Sequence, residues 1–206
     1  YRDFYKHLTH DWMPPLAHVH FKTEGTQEMT GLLFIPAQMQ MQFTGRKPPG
    51  IRLFVKRVFI LEDAEELLPE WLRFMRGVVD SEDLPLNVSR EFLQKDRTTA
   101  GIKKQVVKHS LRLLEELADE GEVTKTDDEG EETKTNRYET FWENFGRVLK
   151  EGVHYEPGKK EEIAKLLRYR SSKAEGWTSL PEYVERMQDG QESIYFVSAE
   201  SQAAAE

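Results

Sequence analysis

The chain has 206 residues and a mass of 24.1 kDa, with 38% hydrophobic and 32% charged residues, a net charge of −8 and no cysteine. That length holds one large domain or two small ones and is enough to build a core. The composition excludes a disulfide framework, a cysteine-based zinc site or nucleophile, and any run near the ~20 apolar residues of a membrane span.

The start, Tyr1 to Trp12, is aromatic and charged and lacks the apolar centre of a signal peptide. A first residue that is Tyr and not Met is expected of a piece trimmed from a longer chain. Most of the negative charge sits at 119–136, where eight acids face two lysines. With so few apolar groups, this segment is expected to be a disordered, solvated acidic insert. The charge balance offers no footprint for nucleic acid. The lack of cysteine fits a reducing compartment.

In chain order, residues 16–24 alternate polar and apolar side chains and predict a strand. Residues 28–35 predict its hairpin partner, ended by Pro36. A loop is expected over 38–49. Residues 51–61 are β-branched and aromatic, which predicts one continuous strand. From 63 to 76 the apolar residues fall at helical spacing, with Pro69 inside the pattern. This predicts a short turn at 64–68 and a helix from Pro69. Gly77 to Asp80 predicts a further strand, and Leu84 to Asn87 a loop. After residue 98 helices dominate: 99–118, an aromatic-rich one over 138–149, a short one over 160–168, and one capped by Ser179 with Glu182 and running through Met187. A last strand is expected at 193–198, too close to the end of the sequence to find its partner there.

No Gly-rich phosphate loop of either common kind is present, so a self-contained nucleotide site is unsupported. Among six histidines, His18 and His20 share a strand face and His7 and His10 a helical face. No third ligand is identifiable, which favours structural roles over a metal. Acid pairs such as Glu65-Glu66 and Glu161-Glu162 are solvated helix faces, and a small hydrolase built on them has nothing specific behind it. One segment, 80–94, is better equipped. Pro85 and Asn87 form a turn, Ser89 is placed to cap the next helical turn, and Arg90 and Gln94 stand four residues apart on one side of it. A guanidinium beside a carboxamide at a loop-to-helix junction suits a phosphate. Taken alone, the residue chemistry favours the plainer alternative, a surface ion pair between Arg90 and an acid such as Glu91.

The run Gly-Val-Val-Asp-Ser-Glu-Asp-Leu-Pro-Leu-Asn-Val-Ser-Arg-Glu at 77–91 resembles the signature of the 90-kDa heat-shock chaperones. Phe4-Tyr5-Lys6, Asp11-Trp12, residues 53–60, 70–74, 165–169, 183–187 and 194–196 also resemble that family, and Phe141 to Gly146 resembles its bacterial branch. The likeness covers essentially the whole chain except 119–136.

The resemblance implies the first, larger part of the family's middle domain. The fold is then α/β (α+β): a mixed-sheet αβα sandwich resembling the ribosomal protein S5 domain 2-like fold, followed by a helical segment and the first strand of a further small α/β unit. It implies boundaries at 1–98, 99–190 and 191–206, with the acidic insert inside the second part. By the same resemblance the catalytic loop is expected to carry Arg90, matching the family arginine that reaches the γ-phosphate of ATP, with Gln94 as the matching glutamine and Asn87 helping to shape the loop. ATP, with Mg, is bound mainly by an N-terminal domain outside this chain, and no cofactor is expected here. Partners are that domain and partly unfolded client proteins, with no nucleic acid and no membrane. The resemblance further implies a cytoplasmic full-length homodimer joined through a further domain, and this piece alone is expected to be a monomer without ATPase activity. Trp12 matches a family tryptophan of client contact, although plain core packing explains a tryptophan equally well. Met39, Met41 and Phe43 stand where relatives carry an aromatic client loop. The competing reading from another class is a stand-alone α/β protein–protein interaction module with no catalytic role.

Overall fold

A computed structural model describes residues 1–25, 27–38, 49–87, 90–126, 132–200 and 204. Five strands form one mixed sheet in the order β1-β2-β5-β3-β4. They are β1 Ala17–Thr23, β2 Met29–Ile35, β3 Ile51–Val55, β4 Val58–Leu61 and β5 Arg76–Ser81. β1, β2 and β5 pair antiparallel in turn, β5 pairs parallel with β3, and β3 pairs antiparallel with β4. The expected hairpin at 17–35 and the strand after Arg76 are therefore present.

β5 lies at the centre. Gly77 is what lets it close on β2: a Cβ there would stand 2.3 Å from the carbonyl oxygen of Leu32. Side chains alternate across the sheet. One face carries Leu33, Ile35, Ile51, Leu53, Val55 and Val79 into the main core. The other carries Phe34, covered by Tyr5 and Leu8 of α1 (Arg2–Thr9). The Arg52 guanidinium secures that helix by donating to the Leu8 carbonyl at 2.8 Å.

The main core is closed by α3 (Arg97–Asp119) and α4 (Arg137–Tyr155). α3 buries Ile102, Val106, Leu113 and Leu117, the face its spacing predicts. α4 contributes Phe141 and Phe145, which pack on Phe74 at ring-centroid distances of 5.1 and 5.2 Å. With α1 on one side of the sheet and these helices on the other, the layers are αβα. α5 (Lys160–Leu166) and α6 (Leu180–Glu185) follow, and Ser179 and Glu182 form the expected capping box.

Four expectations change. Residues 51–61 are two strands, because Lys56 and Arg57 turn with φ of 50° and 66°. Over 63–76 there is no α-helix: two short 3-10 turns, Glu65–Leu67 and Glu70–Leu72, flank Pro69, whose extended ψ of 153° breaks the run. Across 119–136, where composition predicts no regular structure, β6 (Glu122–Thr126) pairs with β7 (Glu132–Asn136). Its base is tied down by Arg137, which pairs with Glu120 and donates to the Leu16 carbonyl. Finally, 193–198 forms no strand and Phe196 is 89% exposed. A strand needs a neighbour for its backbone groups, and none of the described residues provides one. A hairpin the spacing does not predict, β8 (Arg168–Ser171) with β9 (Ala174–Ser179), precedes α6.

His109 of α3 stacks flat on Phe21 of β1, with ring centroids 3.9 Å apart and planes 9° apart. Burial, aided by the charges of Lys108 and Arg112, holds its imidazole below the ordinary value of 6.5. The unfolded chain therefore takes up this proton first, so the contribution to stability is complete above pH ~6.5 and is lost as pH falls below it. Between about pH 7.5 and pH 5.5 the unfolding free energy from urea titration should fall more for the wild type than for His109→Phe, which keeps a flat ring but cannot ionise. Equal losses would remove His109 from the pH dependence.

Candidate functional site

β5 delivers the signature segment to the C-terminal end of the central strand. Ser81 ends the strand and is buried. Its Oγ accepts from the backbone N–H groups of Asp83 (3.3 Å) and Leu84 (3.4 Å), so a serine turns the chain as it leaves the sheet. Leu84 drops back into the main core. Pro85, Leu86 and Asn87 are exposed. α2 (Arg90–Lys95) then begins at Arg90 and buries Leu93 in the same core, while Gln94 faces solvent. Asp96 closes the segment. Its carboxylate accepts from the Thr99 N–H at 3.1 Å and caps α3.

The segment thus leaves the core after the buried Leu84 and is tied back to it by Leu93, with Asn87 and Gln94 exposed. Asn87, Arg90 and Gln94 all lie on it, in the turn and the short helix the spacing predicts. The cap expected from Ser89 lies outside the described residues. Alongside runs the β3–β4 turn. The N–H of Lys56 donates to the Ser81 carbonyl at 3.0 Å, and that of Arg57 to Asp80 Oδ1 at 3.1 Å.

Trp12 is elsewhere, beyond α1 on the opposite face of the sheet. It is 81% exposed, which removes core packing as its explanation. Its position is nevertheless held. Asp11 accepts from the Tyr5 hydroxyl and from the Met13 N–H, both at 3.0 Å, and the Lys6 ammonium stands 3.5 Å from the indole centroid. Burial first, and then the Asp11 charge, push the Tyr5 phenol well above its usual range. Met39, Met41 and Phe43 lie outside the described residues. Among the described residues no three His, Asp or Glu side chains gather as a metal site. His18 and His20 instead pack around Tyr1, at 4.4 Å between rings and 3.3 Å from its hydroxyl respectively. No helix among the described residues is long and apolar enough to cross a membrane.

A family model described as Hsp90 protein matches residues 1–206. The chain belongs to the Hsp90 family. It is 53% identical over 204 residues to the chaperone protein HtpG of Myxococcus xanthus, covering 99% of this chain and 29% of that protein. It is 46% identical to HtpG of Actinobacillus succinogenes, covering 100% of this chain and 31% of that protein. Among solved structures it is similar to the middle domain of a heat shock protein of Plasmodium falciparum, with 32% identity and a TM-score of 0.81 over 100% of this chain and 75% of the other. The chain therefore spans about a third of the length of these HtpG relatives and has the fold of an Hsp90 middle domain. The match runs through 119–136 as well, so the hairpin β6–β7 lies inside the family region.

The Lys56–Arg57 turn beside the segment has positive φ with no glycine or asparagine to mark it, so spacing does not reveal it. The contrast between the two exposed regions is testable. Trp12→Ala should leave unfolding free energy within about 0.5 kcal/mol of wild type, because an exposed side chain has little burial to lose. Leu93→Ala should cost roughly 2–5 kcal/mol, because it empties a core position under α2. A large loss for Trp12→Ala would mean its indole supports the fold.

Proposed function

We propose that this chain is the ATPase-completing and client-contacting part of an Hsp90 chaperone. In this reading ATP, with Mg, is bound by another domain of the full-length protein. The segment carrying Asn87, Arg90 and Gln94 closes onto it, and Arg90 supplies positive charge to the γ-phosphate. Hydrolysis spreads negative charge over the transferring phosphoryl oxygens, and a guanidinium brought from outside the nucleotide pocket offsets it. Gln94 and Asn87 add neutral hydrogen-bonding groups beside that charge. Turnover then depends on the closure of two domains, which couples hydrolysis to movement of the clamp.

The observation that carries this reading is the form of the signature segment. It is an exposed turn followed by a short helix at the end of the central strand, tied to the core by the buried Leu84 before the turn and Leu93 within the helix. Such a segment presents polar groups outward while its ends stay fixed. Family membership and the absence of a Gly-rich phosphate loop in the sequence agree with a role completed by a partner domain. For client proteins, the exposed and clamped Trp12 offers a large amphipathic contact at little entropic cost. Met39, Met41 and Phe43 would add soft apolar contact.

In the full-length protein, Arg90→Ala should lower the ATPase kcat by about 1,000-fold while ATP binding by calorimetry is retained, in line with arginines supplied to phosphoryl transfer. Unchanged turnover would end the role given to Arg90.

A further inference from the structure

The connection between β1 and β2 touches the chain on both sides of the signature segment, at its entry and at the start of α3 just beyond its exit. At the entry, the Glu28 N–H donates to Asp83 Oδ2 at 2.7 Å, and the Glu82 N–H donates to the Glu28 carbonyl at 3.0 Å. At the exit, the Gln27 Nε2 donates to the Thr98 carbonyl in the first turn of α3 at 3.2 Å. Two adjacent residues thus hold the two ends of an excursion that leaves the sheet at Ser81 and rejoins the body at α3.

The exit contact uses the space that a side chain at residue 101 would take. A Cβ on Gly101 would lie 1.9 Å from the Gln27 Oε1 and 2.4 Å from its Nε2, so the carboxamide occupies that space. Glycine in a helix interior is unfavourable against alanine. Here it lies five residues into a helix of 23 residues, and the Gln27 side chain is what fills its place.

We infer that Gln27, seated against Gly101, and Asp83 are positioning residues that brace both ends of the segment carrying Arg90. This rests on the catalytic reading above and adds the part of the chain that sets the segment's placement. Fixing the separation and direction of the two ends restricts the arrangements that α2 can take. An error of about 1 Å in a group that meets a transition state costs far more in rate than a polar surface contact contributes to folding. Neither Gln27 nor Glu28 carries an apolar side chain, so the connection contributes polar contacts and not core. The brace therefore bears on rate more than on stability.

Gly101→Ala separates the two effects. The added methyl displaces the end of a flexible side chain and removes the contact to Thr98, while alanine is the better helix former. In the full-length protein this variant should melt at or above the wild-type temperature. It should nevertheless show a kcat for ATP hydrolysis lowered about tenfold with KM unchanged. Gln27→Ala should lower kcat to the same extent, and the double variant should have a kcat no lower than either single one, since both remove one contact. Asp83→Asn, which keeps an acceptor oxygen for the Glu28 N–H, should retain more kcat than Asp83→Ala. Hydrogen exchange of the α2 amides should be faster in Gly101→Ala and Gln27→Ala. Wild-type kcat in both, measured beside an inactive Arg90→Ala, would overturn the brace and leave the role of Arg90 intact. If Arg90→Ala is itself fully active, the catalytic reading falls, and unchanged α2 exchange would then overturn the brace independently.

Discussion

The sheet depends on one close approach, that of the Gly77 backbone in β5 to the Leu32 carbonyl in β2. With any side chain at residue 77 the two central strands would have to separate. Their contact lets β5 pair with β2 on one side and β3 on the other, which brings the β1–β2 hairpin and the β3–β4 hairpin to the two flanks of a single strand. The signature segment leaves from the end of that strand. Its surroundings, the Lys56–Arg57 turn on one side and Gln27–Glu28 on the other, are consequences of the strand order.

Around this centre the molecule separates rigid and exposed chemistry. Leu84 and Leu93 hold the signature segment to the core, and Asp96 restarts the helix that follows. Asn87 and Gln94 remain in solvent between these anchors. Trp12 follows the same rule on the opposite face: a buried tyrosine and a carboxylate hold the turn that exposes the indole. In both places apolar burial and local hydrogen bonds fix the backbone, so the outward groups are presented with little freedom to lose on binding.

The helices of the second half were the easiest part to read. Ile102, Val106, Leu113 and Leu117 repeat at helical spacing because one face of α3 meets a large apolar core, and the structure buries all four. The β1–β2 hairpin was legible for the corresponding reason at a period of two. The site was legible as a segment. Its run of residues is long and specific, and its turn formers and helix start lie close together in sequence. What supports it was not, because Gln27 and Gly101 are 74 positions apart and neither is informative without the other.

The sequence by itself determined the burying face of each long helix, the capping box at Ser179 and the turn and helix start of the signature segment. Each of these is written in neighbours a few residues apart. Tertiary structure decided the rest. The Lys56–Arg57 turn carries no glycine or asparagine to announce its positive φ, and it is held by hydrogen bonds to Ser81 and Asp80 on another strand. The helical pattern of 63–76 gives way to two 3-10 turns around Pro69, while Leu67, Trp71 and Leu72 still reach the core from an irregular backbone. The acidic hairpin has its base set by Arg137 reaching the carbonyl of Leu16, far away in sequence. For the Lys56–Arg57 turn and the base of the acidic hairpin the deciding partner is distant along the chain, and local propensity is too weak, at about a fraction of a kcal/mol per residue, to oppose it.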